Sequence, residues 1–285
     1  MSSSASILDG KSVSESLLSE LSKKIKKLAV PPRLDVILVG DNTASMSYIR
    51  QKTKSAKNCG LTAHVHEFPA TVDEEAVRKK IQQLNSDPEV HGIIVQLPLP
   101  AGFDEQHLLS EVAVQKDVDG LNPINFGSLL AGVEPYYYPP TPSGIIRLLN
   151  HYEIEMEGKS TALIGMGRLV GRPLSQMLLN QNATVLCLHE LTSNIKSYTR
   201  RSDIVVAAAG VARLVGSDHI QKDAVVIDAG IHKIDGQLIG DVDFEPVAEK
   251  ASWITPVPGG VGPLTVVELL NNTFISARHH TSGEF

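Results

Sequence analysis

At 285 residues the chain can bury a substantial core, and its length suits about two domains. Its 26 Lys and Arg against 32 Asp and Glu leave a formal net charge of -6, which argues against nucleic acid or an anionic membrane as the main partner. Two cysteines are too few for a disulfide framework, and no run approaches the roughly 20 apolar residues of a membrane-spanning helix. Residues 1–5 are polar, and charge interrupts the apolar residues that follow, so no signal-peptide core is read there.

In chain order, apolar residues at helical spacing over 13–28 predict a helix ending in Lys23, Lys24, Lys26 and Lys27, cations suited to its negative end. Residues 34–39 read as a strand stopped by Gly40, 45–58 as a helix with Gly60 at its C-terminus, and 62–68 as a strand. Thr71 to Glu74 has the form of a capping box opening a helix to about Leu84. Residues 92–96 form an apolar strand closed by Leu97-Pro98-Leu99-Pro100, which cannot continue a ladder. Further strands are expected near 161–164, 183–188, 203–208 and 224–228, and a helix from Leu264. Strands alternating with helices predict an α/β protein with parallel pairing. The Pro/Tyr/Gly-rich stretch 132–142 marks the hinge between two α/β domains. His64 and His66 share a strand face, but with no third ligand they read as a packed or solvated pair. A cytoplasmic, metal-free protein is the expectation.

Gly165, Gly167 and Gly171 lie between the apolar run 161–164 and the helical pattern beginning near Pro173. Strand, glycine turn and helix is the context in which backbone N–H groups and a helix dipole receive a pyrophosphate. The spacing is GxGxxxG, which alone is equally consistent with a tight turn. The next strand ends at His189-Glu190, and an acidic residue about 20 positions beyond the glycines is where a ribose hydroxyl is held. In the first half, Tyr48 and Lys52 are one helical turn apart and share a face. Gln96 sits at the C-terminal end of a buried strand, where open α/β sheets bind ligands. Lys116 to Pro123 places Asp117 and Asp119 among turn residues, and Thr255 to Pro263 is rich in Pro and Gly.

Seven ordered segments together resemble the bifunctional methylenetetrahydrofolate dehydrogenase/cyclohydrolase family: VGDNTASMSYIRQKTKSAKNCG at 39–60, GIIVQLPLP at 92–100, KDVDGLNP at 116–123, PPTPSG at 139–144, VIDAGIH at 226–232, GDVDF at 240–244 and TPVPGGVGPLT at 255–265. The resemblance spans residues 7–274. It implies oxidation of 5,10-methylenetetrahydrofolate by a nicotinamide dinucleotide, then hydrolysis of the methenyl cation to 10-formyltetrahydrofolate. It also implies a folate-binding domain over 1–138, a Rossmann-like dinucleotide domain over 139–263, a folate cleft between them, and a C-terminal helix over about 264–285 packing back on the first. Lys52 matches the family's catalytic lysine, Tyr48 the ring that packs on the folate, Gln96 the partner that orients the lysine, and Asp119 the anchor of the pterin's donors. Gly259, Gly260 and Pro263 match the loop along which the folate lies flat. The dinucleotide would meet Gly165, Met166, Gly167, Arg168, Gly171, Glu190 and Ile231. A homodimer follows from the resemblance alone. The remaining alternatives are a nucleotide-binding regulatory module of this fold and an enzyme keeping one of the two activities.

The chain departs from the family where an NADP 2′-phosphate would bind. The usual GRSxxVGxP has Met166 and Gly167 as its second and third residues, and the usual HS[RK]T reads His189-Glu190-Leu191-Thr192. A carboxylate there opposes a phosphate, although Arg168 or Arg172 could compensate. NADP is the family default, and the substitutions open the site to NAD. Pro140 and Leu264 are two further departures, the second conserving volume.

Overall fold

The computed structural model describes residues 4–282, with the side chains of 43–45 and 281–282 outside that description. The side chain of Ser45 at the expected helix start, the first three residues of the polar stretch and the last three of the expected C-terminal helix therefore lie beyond what is described. The chain runs β1 (Ser6–Ile7), α1 (Gly10–Ile25), β2 (Arg33–Val39), α2 (Thr43–Cys59), β3 (Thr62–Phe68), α3 (Glu74–Ser86), β4 (Gly92–Val95), α4 (Glu105–Glu111) and α5 (Pro123–Leu130). It continues α6 (Pro140–His151), β5 (Ser160–Ile164), α7 (Gly171–Leu179), β6 (Thr184–Leu188), α8 (Lys196–Thr199), β7 (Ile204–Ala207) and β8 (Val225–Asp228). The last elements are β9 (His232–Ile234), β10 (Gln237–Ile239), α9 (Phe244–Ala248), β11 (Trp253–Ile254) and α10 (Val261–Ser282). Among the described residues no helix is long and apolar enough to cross a membrane.

Two compact units emerge, one of residues 1–15 and 140–265, the other of 16–139 and 266–285. The expected cut near 138 gave the first fifteen residues to the other half. By contact they group with the later unit, where β1 extends the sheet, Ser6 and Ile7 pairing in parallel with Trp253 and Ile254.

The unit of residues 16–139 and 266–285 is built on a parallel three-stranded sheet in the order β3-β2-β4, with Val36 paired to Val65 on one side and Ile94 on the other. Central β2 buries both faces, as strands of parallel sheets covered by helices do. One cluster collects Leu34, Val36, Leu38 and Ile94 with Ile49, Ala56 and Cys59 of α2 and Val266, Leu269, Leu270 and Phe274 of α10. Another packs Ile37, Val39, Ile93 and Val95 against Val77, Ile81 and Leu84 of α3. The capping box expected at Thr71 is not what starts α3: Asp73 is the N-cap, accepting from the Glu75 N–H at 3.2 Å. Fully buried Asp35 of β2 ends the ambiguity over His64 and His66. Its carboxylate accepts from Arg33 Nε at 2.8 Å and lies 2.7 Å from His66 Nε2, with His64 Nδ1 at 4.0 Å, so His66 is packed on this carboxylate while His64 stays at its margin.

The other unit holds a six-stranded parallel sheet in the order β1-β11-β8-β7-β5-β6. From β5 the chain steps outward to β6 and returns to β7 on the opposite side of β5. That reversal makes the carboxyl ends of β5 and β7 a switch point, where open α/β sheets bind ligands. Ala162, Ile164, Val205, Ala207, Val226 and Ile254 fill its core. An antiparallel hairpin, β9–β10, follows β8.

Candidate functional site

Helix α2 carries Tyr48 and Lys52, and its inward stripe explains where Lys52 goes. Ile49, Ala56 and Cys59 are buried against β2, and Lys52 lies on the same stripe. The lysine is 4 % exposed, its Nζ donates to Gln96 Oε1 at 3.1 Å, and it stands 4.6 Å above the centroid of the Tyr48 ring. Gln96 follows β4, and its backbone N–H extends the ladder to Ile37 O at 2.9 Å. Its side-chain Nε2 donates to Leu97 O at 2.8 Å, which leaves Oε1 as the atom facing Lys52. Burial lowers the Lys52 pKa, and the Asp119 carboxylate works in the opposite direction. Burial raises the pKa of Asp119, opposed by the charge of Lys52. Each group is driven toward neutrality by its surroundings and held charged by the other. Tyr48, Lys52, Gln96 and Asp119, named from sequence, therefore converge within one unit.

The loop bearing Asp119 divides its two carboxylates by role. Asp117 accepts from Leu121 N at 3.2 Å, Asn122 N at 2.8 Å and Asn125 Nδ2 at 2.8 Å, and burial pushes its pKa up to about 7. Asn122 then caps α5 through Ile124 N at 2.8 Å. Lys116 is buried and donates to the carbonyls of Leu84, Asn85 and Asp87 at 3.0, 2.8 and 2.7 Å, at the C-terminal end of α3. These three residues build the loop. Asp119 takes part in no hydrogen bond among the described residues, and the charge that reaches it is that of Lys52.

In the other unit the glycines after β5 have separate jobs. Gly165 has φ +100°, and a Cβ there would overlap Ala208 O after β7. A Cβ on Gly171 would overlap Gly165 O. Gly167 has nothing within 4 Å of its Cβ position, so it alone leaves room for a ligand. Helix α7 begins at Gly171 with Val170 as its N-cap and no side-chain cap, which leaves the helix dipole to favour an anion. The loops after β5, β6, β7 and β8 each expose a large apolar side chain: Leu169, Leu191, Val211 and Ile231. An uncapped helix start, an open glycine and apolar groups at strand ends suit the pyrophosphate and flat rings of a dinucleotide. Arg172 Nε donates to Met166 O at 3.1 Å, so this guanidinium folds back on the loop. Glu190 is exposed after β6, and Met166 and Arg168 are partly buried.

Two residues beyond the expected set fasten these strand ends. Fully buried Asp241 accepts from Ala209 N at 2.6 Å, Gly210 N at 2.9 Å and His232 Nε2 at 2.7 Å. Asp228 accepts from Gly230, Asp241 and Val242 N–H groups, each at 2.9 Å, and burial pushes its pKa up to about 6. Both aspartates lie in segments that carry the family resemblance, 226–232 and 240–244, and only their burial identifies the job. In the loop after β11, Gly259 has φ +109° and its carbonyl accepts from Lys11 N at 2.8 Å. A Cβ on Gly10 would overlap Gly260 O, so Gly260 serves close backbone packing with the start of α1. Pro263 sits in the first turn of α10. Among the described residues, no three His, Cys, Asp or Glu side chains group as a metal site.

Residues 8–119 match the family described as tetrahydrofolate dehydrogenase/cyclohydrolase, catalytic domain, and residues 139–281 its NAD(P)-binding domain. The chain is 44% identical over 278 residues to the bifunctional protein FolD of Geobacillus thermodenitrificans, covering 96% of this chain and 98% of that protein. It is similar in structure to the bifunctional FolD methylenetetrahydrofolate dehydrogenase/cyclohydrolase of Campylobacter jejuni, with TM-score 0.94, 43% identity, and coverage of 96% and 99%. The FolD structure from Trypanosoma brucei, complexed with NADP cofactor and inhibitor, has TM-score 0.94 at 36% identity, covering 99% of this chain and 100% of that one.

Proposed function

Because this chain belongs to the tetrahydrofolate dehydrogenase/cyclohydrolase family, we propose that it oxidises 5,10-methylenetetrahydrofolate to the methenyl cation and hydrolyses that cation to 10-formyltetrahydrofolate. The observation that carries the reading is the buried Lys52, bonded to Gln96, stacked on Tyr48 and coupled in charge to Asp119.

A bound nicotinamide dinucleotide supplies the hydride acceptor. The folate nitrogens stabilise the cation that forms, so the protein's task in this step is placement. Tyr48 offers a flat face for the folate, and Asp119 an acceptor for the pterin's N–H donors. Hydrolysis asks more. Water adds to the methenyl carbon and loses a proton, and the ring nitrogen gains one as its bond to that carbon breaks. Lys52, its pKa lowered by burial, is suited to take the first proton and return it to nitrogen. Gln96 Oε1 accepts one N–H of Lys52 and so fixes where the others, or the lone pair, point. A coupled assay with methylenetetrahydrofolate and each dinucleotide tests the reading, and a protein turning over neither step rejects it.

For the dinucleotide, NADP is the family default. Glu190, which the resemblance sets against a 2′-phosphate, is exposed, Met166 brings no charge, and Arg172 is turned onto the Met166 carbonyl. A difference of about 1.4 kcal/mol is tenfold in preference, within reach of one close carboxylate. Discrimination against NAD is thus weak or reversed. Steady-state kinetics with both dinucleotides on the wild type and on Met166→Arg/Glu190→Ser check this. A strong NADP preference in both proteins would show that Arg168 or Arg172 holds the phosphate.

The enzyme is proposed to be a homodimer, as its family resemblance suggests, and β3 offers an edge for such pairing. Sedimentation equilibrium decides between one chain and two. Cys59 and Cys187 are both free thiols, consistent with a cytoplasmic location.

A further inference from the structure

The folate-site carboxylate sits on a loop whose geometry is set from far along the chain. Asn272 of α10 is buried, and its Nδ2 donates to Val118 O and to Tyr138 O, each at 2.9 Å. Val118 O and Asp119 N belong to one rigid peptide plane, so the first bond fixes the plane from which Asp119 departs. On the other side of Asp119, Gly120 has φ +64° and lies against the Tyr138 neighbourhood: its Cβ position is 2.7 Å from Tyr137 O and 2.9 Å from Pro139 N. The segment 137–139 is therefore pressed by Gly120 and held by Asn272 at once. Loop, segment and helix all belong to the same unit. Both Nδ2 protons of Asn272 are spent on this junction, one on each partner.

We propose that Asn272 is a positioning residue of the folate site: by tying the Val118–Asp119 peptide to the 137–139 segment, it sets the Asp119 carboxylate against Lys52 and the pterin. This rests on the proposed function. Asp119 makes no hydrogen bond among the described residues that would place it, so its backbone must do so. The charge coupling between Asp119 and Lys52 depends on their separation, and displacement of a positioning group by about 1 Å can cost a hundredfold in rate. The groups that bear on this coupling are Tyr48 and Gln96 beside Lys52, and Asp117 beside Asp119.

Helix α10 supplies its own control. Ser276, one turn further and fully buried, donates to His91 O and Gln115 O at 2.5 and 3.1 Å, away from the Asp119 peptide. Asn272→Leu keeps the branched shape at the same chain length, with bulkier methyl groups, and removes both donors. It is expected to lower folate kcat/KM by about ten- to a hundredfold, weaken tetrahydrofolate binding in calorimetry, and leave dinucleotide affinity unchanged. Its cyclohydrolase pH profile should move to lower pH, because Lys52 loses part of the support of Asp119. Asn272→Ser, which keeps a donor, should show the same changes in smaller degree, and it is read in the same way should the leucine variant not fold. Ser276→Ala should lose stability with an unmoved pH profile. If Asn272→Leu and Asn272→Ser lose no more kcat/KM than Ser276→Ala and keep the wild-type profile, Asn272 is only a structural staple and the inference falls. Failure of the wild type to turn over folate rejects the function instead. Tetrahydrofolate affinities of the variants still read the positioning role.

Discussion

Lys52 is a residue held at a cost. A lysine whose folded pKa lies below its unfolded value of 10.5 contributes stability above that pH and loses it as pH falls through the folded value. At neutral pH, well below 10.5, burying this lysine is therefore a net penalty. Lys52→Met should abolish cyclohydrolase activity and leave dinucleotide affinity nearly intact. It should also raise unfolding free energy by about 0.5–2 kcal/mol, as relief of a functional compromise does. The gain should shrink as pH approaches 10.5, and urea titrations at pH 7.5 and pH 10 measure it. Full hydrolysis by the soluble variant would remove Lys52 from the mechanism. Asp119→Ala should weaken folate binding by about one to two decades, the equivalent of 1.5–3 kcal/mol for a charge-assisted hydrogen bond. Both activities should suffer, and unchanged folate affinity would reduce Asp119 to a turn residue. Asp117 would give no such result, because its oxygens are committed to Leu121, Asn122 and Asn125. Sequence distinguished these two aspartates only through the resemblance.

At the scale of elements, the strand–glycine–helix unit around β5 and α7 shows what pattern reveals and what it hides. The apolar run and the helix period were legible because both are local. So were the one-turn spacing of Tyr48 and Lys52 and the position of Gln96 after β4. The division of labour among Gly165, Gly167 and Gly171 was not, since it depends on Ala208 and on the path of the loop itself. Gly171→Ala should cost about 1–3 kcal/mol or prevent folding, the range for inserting a methyl group where backbone already sits. Gly167→Ala should melt within a degree or two of the wild type yet bind the dinucleotide about tenfold more weakly, about 1.4 kcal/mol. Thermal melts with and without dinucleotide separate the two outcomes. Wild-type affinity in Gly167→Ala would mean that nothing approaches that backbone. Short β1 and β11 and the β9–β10 hairpin escaped the sequence reading because two or three residues carry no period. The double bond from Asn272 escaped it too, for its partners lie 134 and 154 positions away.

Across the unit of residues 16–139 and 266–285, two buried groups couple stability to pH with opposite signs. His91 is buried, and desolvation, helped by His280, Lys116 and Arg33 and opposed by Asp87, lowers its pKa to about 4. Its contribution is complete above its unfolded value of 6.5 and is lost as pH falls toward 4. Asp117 is raised to about 7 from 3.8, so its contribution is complete below 3.8 and lost as pH rises through 7. Between pH 4 and 6.5 the two oppose each other. His91→Asn retains an acceptor for Arg33 N, now bonded to His91 Nδ1 at 3.1 Å, and removes one of them. Relative to the wild type, this variant should gain about 1–2 kcal/mol between pH 7.5 and pH 5, since each pKa unit is about 1.4 kcal/mol. Parallel urea midpoints for the two proteins at both pH values would show that His91 is not the acid-sensitive group.

Helix α10 also imposes an order on synthesis. Val266, Leu269, Leu270 and Phe274 complete a core whose other members begin at Leu21, whereas the unit with the six-stranded sheet needs nothing beyond residue 265. A chain emerging from the ribosome therefore presents every element of the later unit before the earlier one can close. Through that interval β2, β3 and β4 wait with apolar faces uncovered, in reach of chaperones and proteases. Stalled nascent chains ending near 265 and near 282, each followed by a flexible linker long enough to clear the ribosomal tunnel and treated with protease, should yield a protected fragment of the sheet-rich unit in both cases. Protection of residues 16–139 should appear only in the longer chain.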